Sequence, residues 1–452
     1  MICDMAVAWR NLRARPIQTA IPALVIGLAL ALSLAVAMLS DGAKEGIIQA
    51  SDPFGVMVIG AKGSGQQLVL SSILLQDDPI GNIPYTIYED LEHDERVQLA
   101  VPLAFGDNVA GARLIGTYHD FFELRTSRSA PPAFQLAEGR LFAVVEDEHA
   151  DEDHAEDADH DAEEGELEEA EEHAGHEGHD HDAGLFEAVL GATAAKDLGL
   201  NIGDQFETTH GFGEGIASDH HHEPYTVVGI LKPSGTAYDG AAFTQIESVW
   251  HVHEVDPNDT LAPYVGEQLG ASDQVTAVLV LPASFAGQNQ IYQEFYTGTD
   301  AQAAFPGAEL TGLFDMIDQA QEILSLIGYM VLGIAALTVF LSMYNATVAR
   351  EHAIAVMRGL GSSPAHVVRI VLFETLFVTL LGAVLGRVIG YAAARIIADV
   401  YSAQSAIPIP LRLLPEWELL LWALPLGVGA LAGLVPAALA YRVNVVEKLF
   451  PS

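Results

Sequence analysis

Seventeen histidines stand among 61 acidic residues in this 452-residue chain, and seven of them fall in one run. His149, His154 and His160 are spaced five and six apart, and His173, His176, His179 and His181 follow as His-x-x-His-x-x-His-x-His. Residues 146–182 hold 20 acids and no lysine or arginine, with Leu167 the only large apolar residue. Neutral imidazole is the commonest metal ligand, and carboxylates complete an oxygen–nitrogen shell. The composition fits weak multisite binding of Zn2+, with Ni2+ or Cu2+ as other ions. A segment with so little apolar surface cannot offset its ordering entropy and is expected to be disordered without a ligand. The competing reading is a solvated acidic loop. A second cluster, His220, His221 and His222 with His210 and Asp219, lies just before an apolar strand pattern. His251 and His253, at i and i+2, read either as strand neighbours on one face or as ordinary surface histidines.

Other chemistry is missing from the sequence. No G-x-x-x-x-G-K-[ST] phosphate loop occurs, and Gly60-Ala61-Lys62-Gly63-Ser64-Gly65 has the residue types at the wrong spacing. No nucleophile elbow and no H-E-x-x-H zinc helix is present. The chain is therefore expected not to be an enzyme and not to hydrolyse ATP by itself. Cys3 is the only cysteine, so a disulfide within the chain is excluded. Glu374 and Arg387 interrupt an apolar stretch, and charges at membrane depth are costly and often functional. Thirteen residues of helix separate them by about 20 Å, too far to pair directly.

The elements that carry these residues follow from hydropathy. Four apolar stretches are long enough to span a bilayer: residues 17–39, 322–347, 369–397 and 419–441. The first imitates a signal peptide, but its 23 uncharged residues exceed the usual apolar core of about 7–15. The net charge of −41 is split unevenly: residues 40–321 carry 53 acids and 9 bases, and the remainder 8 acids and 11 bases. Arginines and lysines gather before the first stretch, between the second and third, and after the fourth, which the positive-inside rule assigns to the cytoplasm. The expected fold is thus an α-helical membrane protein with four transmembrane helices in a 1+3 arrangement. Residues 1–16, 348–368 and 442–452 are expected to be cytoplasmic, and residues 398–418 a short outer loop. Residues 40–321 are expected to form an extracytoplasmic domain with residues 146–182 inserted in it. Mixed helix and strand patterns there, such as the strands at residues 225–231 and 275–281 and the helix at residues 191–200, indicate α+β. Its acidity favours cations and excludes nucleic acid and anionic membrane surfaces as partners.

Several phrases resemble the FtsX/MacB-type permeases, membrane subunits of ABC systems that include a macrolide exporter and a lipoprotein-release complex. Trp9-Arg10-Asn11-Leu12-Arg13 is similar to the family's amphipathic N-terminal segment. The phrase from Gly116 to Leu124, with Phe121-Phe122, resembles its G-x-x-x-x-[FY]-F-x-[LV] pattern, and Gly139-Arg140-Leu141-Phe142 its G-R-x-F turn. The stretch from Val189 to Asp204, ending Gly203-Asp204, and the strand from Tyr225 to Leu231 follow in the family's order. Arg350-Glu351-His352-Ala353-Ile354 with Arg358-Gly359-Leu360-Gly361 resembles its cytoplasmic loop. The ending with Pro436-Ala437 and Glu447 is similar too, although Asn444-Val445 stands where the family often has proline.

The resemblance implies a bacterial inner-membrane protein with a periplasmic domain, a separate cytoplasmic ABC ATPase, and a permease homodimer or heterodimer. ATP closure would move helices and outer domains. It assigns ATPase coupling to Arg350, Glu351, Ile354, Met357, Arg358, Leu360 and Gly361. Within that loop Ile354, Met357 and Leu360 fall on one helical face. Glu374 matches a position where the family often carries an acid, whereas Arg387 departs from its apolar pattern and would snorkel outward or face a dimer interface. No intrinsic cofactor is implied. Joined to the histidine run, the expectation is a permease in divalent-metal homeostasis, zinc first, with a periplasmic metal-binding protein as a further partner. The alternatives are a lipoprotein or small-molecule exporter, and a signalling scaffold that controls a cell-wall hydrolase without transport.

Overall fold

The computed structural model describes residues 2–54, 57–126, 129–143, 183–210, 224–252, 274–298, 300–412 and 415–442. The seven-histidine run, His220, His221, His222, Asp219 and His253 lie outside the described residues. The chain divides into a helical unit, Met1–Ala50 with Leu310–Ser452, and a second unit, Ser51–Glu309.

Two helices come first, α1 (Ile2–Arg13) and α2 (Pro16–Ser51). Pro16 suits the first turn of α2, where its missing N–H costs nothing. The second unit then runs β1 (Met57–Gly60), α3 (Gly65–Ser72), β2 (Ile83–Pro84), α4 (Thr86–Glu92), β3 (Val97–Val109), β4 (Ala112–Thr117), β5 (Leu136–Gly139), β6 (Ala183–Leu190), α5 (Ala192–Leu198), β7 (Gln205–Phe206), β8 (Thr209–His210), β9 (Tyr225–Leu231), β10 (Ala242–Gln245), α6 (Ile246–Val252), β11 (Gln274–Val275), β12 (Ala277–Pro282), α7 (Phe285–Thr297) and β13 (Gln302–Ala304). Among the described residues, eleven strands make one mixed sheet along the path β13-β1-β12-β3-β4-β10-β6-β9-β5, with β7 on β9 and β8 on β3. β10 pairs parallel with β4, and β6 parallel with β9. A register shift between Phe105 and Asn108 lets the long β3 serve β12 with its first half and β4 with its second.

The phrases noted in the sequence have structural work in this unit. His119–Glu123 forms a 3-10 turn that buries both Phe121 and Phe122. Phe121 meets Phe134 at 4.6 Å, and Tyr238 and Phe243 each at 5.1 Å between ring centres. Gly139 has φ +77°, and a Cβ there would lie 2.1 Å from the Val228 carbonyl, so only glycine fits the turn before Arg140. Gly203 N–H donates to Val227 O at 2.8 Å and Val227 N–H to Asp204 O at 2.9 Å, which ties the Gly-Asp turn to β9. In the glycine-rich phrase after β1, Ser64 caps α3 by accepting from Gln67 N–H at 3.3 Å, and Lys62 Nζ donates to Gly298 O. That phrase is a strand-to-helix turn. Of the two readings of His251, the strand neighbour is set aside: His251 lies in α6, exposed, with its ring 5.7 Å from Phe186. The apolar positions Ile246 and Val249, three apart, turn this segment inward as a helix.

The helical unit continues with α8 (Pro306–Val348), α9 (Glu351–Gly359), α10 (Pro364–Ser405) and α11 (Pro415–Arg442). Helices α2, α8, α10 and α11 are long and apolar enough to cross a membrane. Helix α8 starts well before the apolar stretch, with Pro306 and Glu309 in its first turn, where a missing N–H costs nothing and a negative charge is favoured. Helices α2 and α10 meet through small residues. A Cβ on Gly382 would lie 2.8 Å from Ala23 O, one on Gly386 2.7 Å from Gly27 O, and one on Gly390 2.9 Å from Ala31. Four-residue spacing places these glycines on one face and lets the backbones approach. Ile17, Ile21, Leu24 and Leu28 form an exposed apolar stripe on α2.

Candidate functional site

The site lies where α1, the residue leading into α9 and the first turns of α10 meet. Helix α9 is short because Gly361, at φ +102°, ends it, and Ser363 then caps α10 by accepting from His366 N–H at 3.3 Å. Pro364 occupies the first turn of α10. The sequence thus builds a tight helical elbow between two long apolar helices.

Arg350 precedes α9 and turns back to Glu374 on α10. Its Nη1 donates to Oε1 at 2.8 Å and its Nη2 to Oε2 at 2.7 Å, while Nε donates to Ala346 O at 3.1 Å. The Glu374 side chain is 1% exposed. A carboxylate so deeply buried needs a paired cation, and the planar guanidinium supplies it in a two-pronged geometry. Asn11 of α1 adds a third hydrogen bond, Nδ2 to Glu374 Oε1 at 2.6 Å.

A second charged group holds α1 nearby. The Asp4 carboxylate accepts from Arg369 Nε at 2.8 Å and meets His366 Nδ1 at 3.0 Å. Trp9 packs edge-on against Phe377 at 5.8 Å, and the Arg13 guanidinium lies 5.1 Å from the Trp9 ring.

The amphipathic face of α9 divides in two. Ile354 is 5% exposed and packs with Val367, Val371, Ala437 and Ala440, with Met357 beside it. Ala355 is also buried. Arg358 Nη1 donates to Tyr441 O at 3.2 Å, near the end of α11. Ala353, Val356 and Leu360 face outward instead, Leu360 being 84% exposed. Of the three apolar residues grouped on one face in the sequence, Leu360 alone is fully turned to solvent. Apolar residues stand all round α9, and α10 and α11 claim the stripe through Ile354. Glu351 starts the helix and Gly361 ends it.

Arg387 lies far along α10 from Glu374, with its guanidinium 5.8 Å from the Trp422 ring beside Leu30, Leu34 and Ala383. The structure therefore brings together Arg350 and Glu374, and leaves Arg387 in a separate setting. Sequence reasoning missed Asp4, Asn11 and His366 as parts of the junction. The signal was present in α1, where Asp4, Ala8, Asn11 and Leu12 share one helical face.

In the second unit, Arg140 and Glu187 close the base of the histidine-rich insertion. Arg140 Nη1 donates to Glu187 Oε2 at 2.7 Å, Nη2 reaches Oε1, and Ala143 N–H donates to Oε2 at 2.9 Å. Hydrogen bonding to Arg140 holds the Glu187 carboxyl below its ordinary range. Among the described residues, no group of three or more His, Cys, Asp and Glu is arranged to hold a metal ion.

Residues 19–304 match the MacB-like periplasmic core domain, and residues 325–445 match the FtsX-like permease C-terminal domain. No curated protein matches the chain. Among solved structures, the chain is similar to the periplasmic region of MacB from Actinobacillus actinomycetemcomitans, at 12% identity over 59% of this chain and 97% of that one, with a TM-score of 0.31. It is also similar to the extracellular domain of the ABC-type transporter YknZ from Gram-positive bacteria, at 11% identity over 55% of this chain and 98% of that one, with a TM-score of 0.27. The two family matches together run from the first long apolar helix to beyond the last, and on them the chain belongs to the FtsX/MacB-type permease family.

Proposed function

We propose that this chain is the membrane subunit of an ABC system and transmits the ATP-driven motion of a separate cytoplasmic ATPase to an extracytoplasmic domain. In this reading α2, α8, α10 and α11 cross the inner membrane, both termini and α9 are cytoplasmic, and Ser51–Glu309 lies in the periplasm. The permease works as a dimer. The observation that carries the reading is the construction of α9. One stripe, Ile354 with Met357, is packed onto α10 and α11, and the opposite stripe, Ala353, Val356 and Leu360, is left outside. A short helix held rigidly on one side and apolar on the other suits a docking element.

The histidine-rich insertion suggests what the motion serves. Seven imidazoles among 20 carboxylates in residues 146–182 suit the collection of a divalent metal, zinc first, within a homeostasis system. This part of the reading rests on composition.

Docking is tested with the ATPase and permease purified together in lipid nanodiscs. Val356→Asp and Leu360→Asp should abolish stimulation of ATP hydrolysis while the permease still inserts. Ile354→Ala should act through stability instead, lowering the melting temperature. Stimulation unchanged in both aspartate variants would remove α9 from the coupling role. A reporter fused near Gly235 should report the periplasm, and a cytoplasmic signal there would overturn the orientation.

A further inference from the structure

Glu374 is joined to two elements besides its own helix. Its Oε2 accepts from Arg350 Nη2, whereas Oε1 accepts from both Arg350 Nη1 at 2.8 Å and Asn11 Nδ2 at 2.6 Å. One buried carboxylate therefore links the residue that leads into α9, the first turns of α10, and α1.

The link to α1 is reinforced on either side. Asp4 meets Arg369 and His366, one to two turns earlier on α10, and Trp9 meets Phe377 one turn later. Ala8 and Leu12 are buried between these polar contacts, at 0% and 8% exposure. Helix α1 is thus seated along the stretch of α10 from His366 to Phe377. Helix α9 holds the same stretch through Arg350 on Glu374 and through Ile354 on Val367 and Val371.

We propose that Asn11 and Glu374 are positioning residues that make α1 a moving part of the coupling device, so that a displacement of α9 is passed to α1 through Arg350, Glu374 and Asn11. The inference rests on α9 being the docking helix. The physical reason is the burial of the carboxylate. If Arg350 moved away alone, the Glu374 carboxylate would be left buried with only an amide as partner, and an amide does not replace the lost cation. Moving the three groups together keeps the charge paired. An amide also suits position 11 because a carboxylate there would repel Glu374.

The test uses the full-length permease in nanodiscs, in a Cys3→Ser background, with a spin label on V7C of α1. Both Val7 and His352 are exposed. In the otherwise native chain the label at position 7 should report an immobilised helix. Asn11→Asp and Glu374→Gln should each raise a mobile component, and Asn11→Gln, which retains the donor, should raise it less than Asn11→Asp. With a second label on H352C and the ATPase present, nucleotide should leave the distance between positions 7 and 352 unchanged in the native junction, and should change or broaden it in Glu374→Gln. A merely structural role would not produce that nucleotide dependence. Equal immobilisation in all three junction variants, or a distance that changes with nucleotide in the native chain, would overturn the proposal. If the ATPase fails to engage α9 at all, the docking reading fails, and the label mobility without ATPase still decides whether α1 is held through Glu374.

Discussion

The Arg350 guanidinium and the Glu374 carboxylate are joined by two parallel hydrogen bonds, 2.8 and 2.7 Å long, although they stand 24 residues apart in the chain. The pair fixes the elbow from α8 through α9 to α10. It also gives a buried charge on a long apolar helix a partner of opposite sign.

The pair should behave as a unit. Arg350→Met leaves a buried carboxylate uncompensated and should cost about 3–5 kcal/mol. Combining it with Glu374→Met should restore much of the loss, because that position then buries no charge. Arg350→Lys should fall between, since an ammonium lacks the two-pronged geometry. Thermal denaturation of the detergent-solubilised permease checks this. A double variant no more stable than Arg350→Met would show that lost packing, not stranded charge, sets the cost.

Close packing of α2 on α10 should depend on Gly386. A Cβ there falls 2.7 Å from Gly27 O and 2.8 Å from the Leu30 side chain, so Gly386→Leu must push the helices apart. The expected result is a loss of about 1–3 kcal/mol or more, the usual range for overpacking. Gly427, with nothing within 4 Å of a Cβ, supplies the control, and Gly427→Ala should be neutral or better. Similar melting temperatures for the Gly386 and Gly427 variants would contradict the packing argument.

The Arg140–Glu187 clamp should add an acid-dependent contribution to stability. Arg140 lowers the Glu187 carboxyl below its ordinary range. A depressed folded value means that the contribution is fully present above the unfolded value, about 4.3 for glutamate, and is lost as pH falls through the folded one. Glu187→Gln should therefore be less stable than the native chain at pH 7, and the gap should close below about pH 4. Urea unfolding of the periplasmic-type unit, followed within the full chain at several pH values, makes the comparison. A gap independent of pH would assign the contact to packing alone.

Metal binding should reside in residues 146–182 and depend on their collective number of ligands. Without metal the 20 carboxylates repel one another, and each dication cancels two charges while gathering several imidazoles. Single His→Ala changes should matter little, and joint replacement of His173, His176, His179 and His181 should remove most of the binding. Affinity should fall as pH drops through about 6.5, because protonated imidazole cannot ligate. Removing residues 146–182 should leave the domain folded, since Arg140 and Glu187 close the chain below the insertion. Calorimetry with Zn2+ on the full chain, with and without the segment, decides. Equal zinc uptake by both would return the segment to a solvated acidic loop.

Four helices long and apolar enough for a bilayer, an α+β unit between the first and second, and the family were legible in the residues alone. These features are local or additive. Apolar length is read residue by residue, strand patterns such as residues 225–231 repeat every second position, and phrases such as Phe121-Phe122 and Gly203-Asp204 serve turns a few residues long. Features that depend on partners distant in the chain emerge only from the packing. Asn11 and Glu374 are 363 residues apart, and nothing in either neighbourhood announces the other. The two apolar stripes of α9 look alike in the sequence, and only the positions of α10 and α11 decide that Ile354 is buried and Leu360 exposed. His251 fits a two-residue strand spacing as well as it fits a helix, until the burial of Ile246 and Val249 selects the helix. The common physical reason is that hydropathy and turn chemistry are properties of a short segment, whereas the neutralisation of a buried charge and the choice of a buried face are properties of the whole packed assembly of helices.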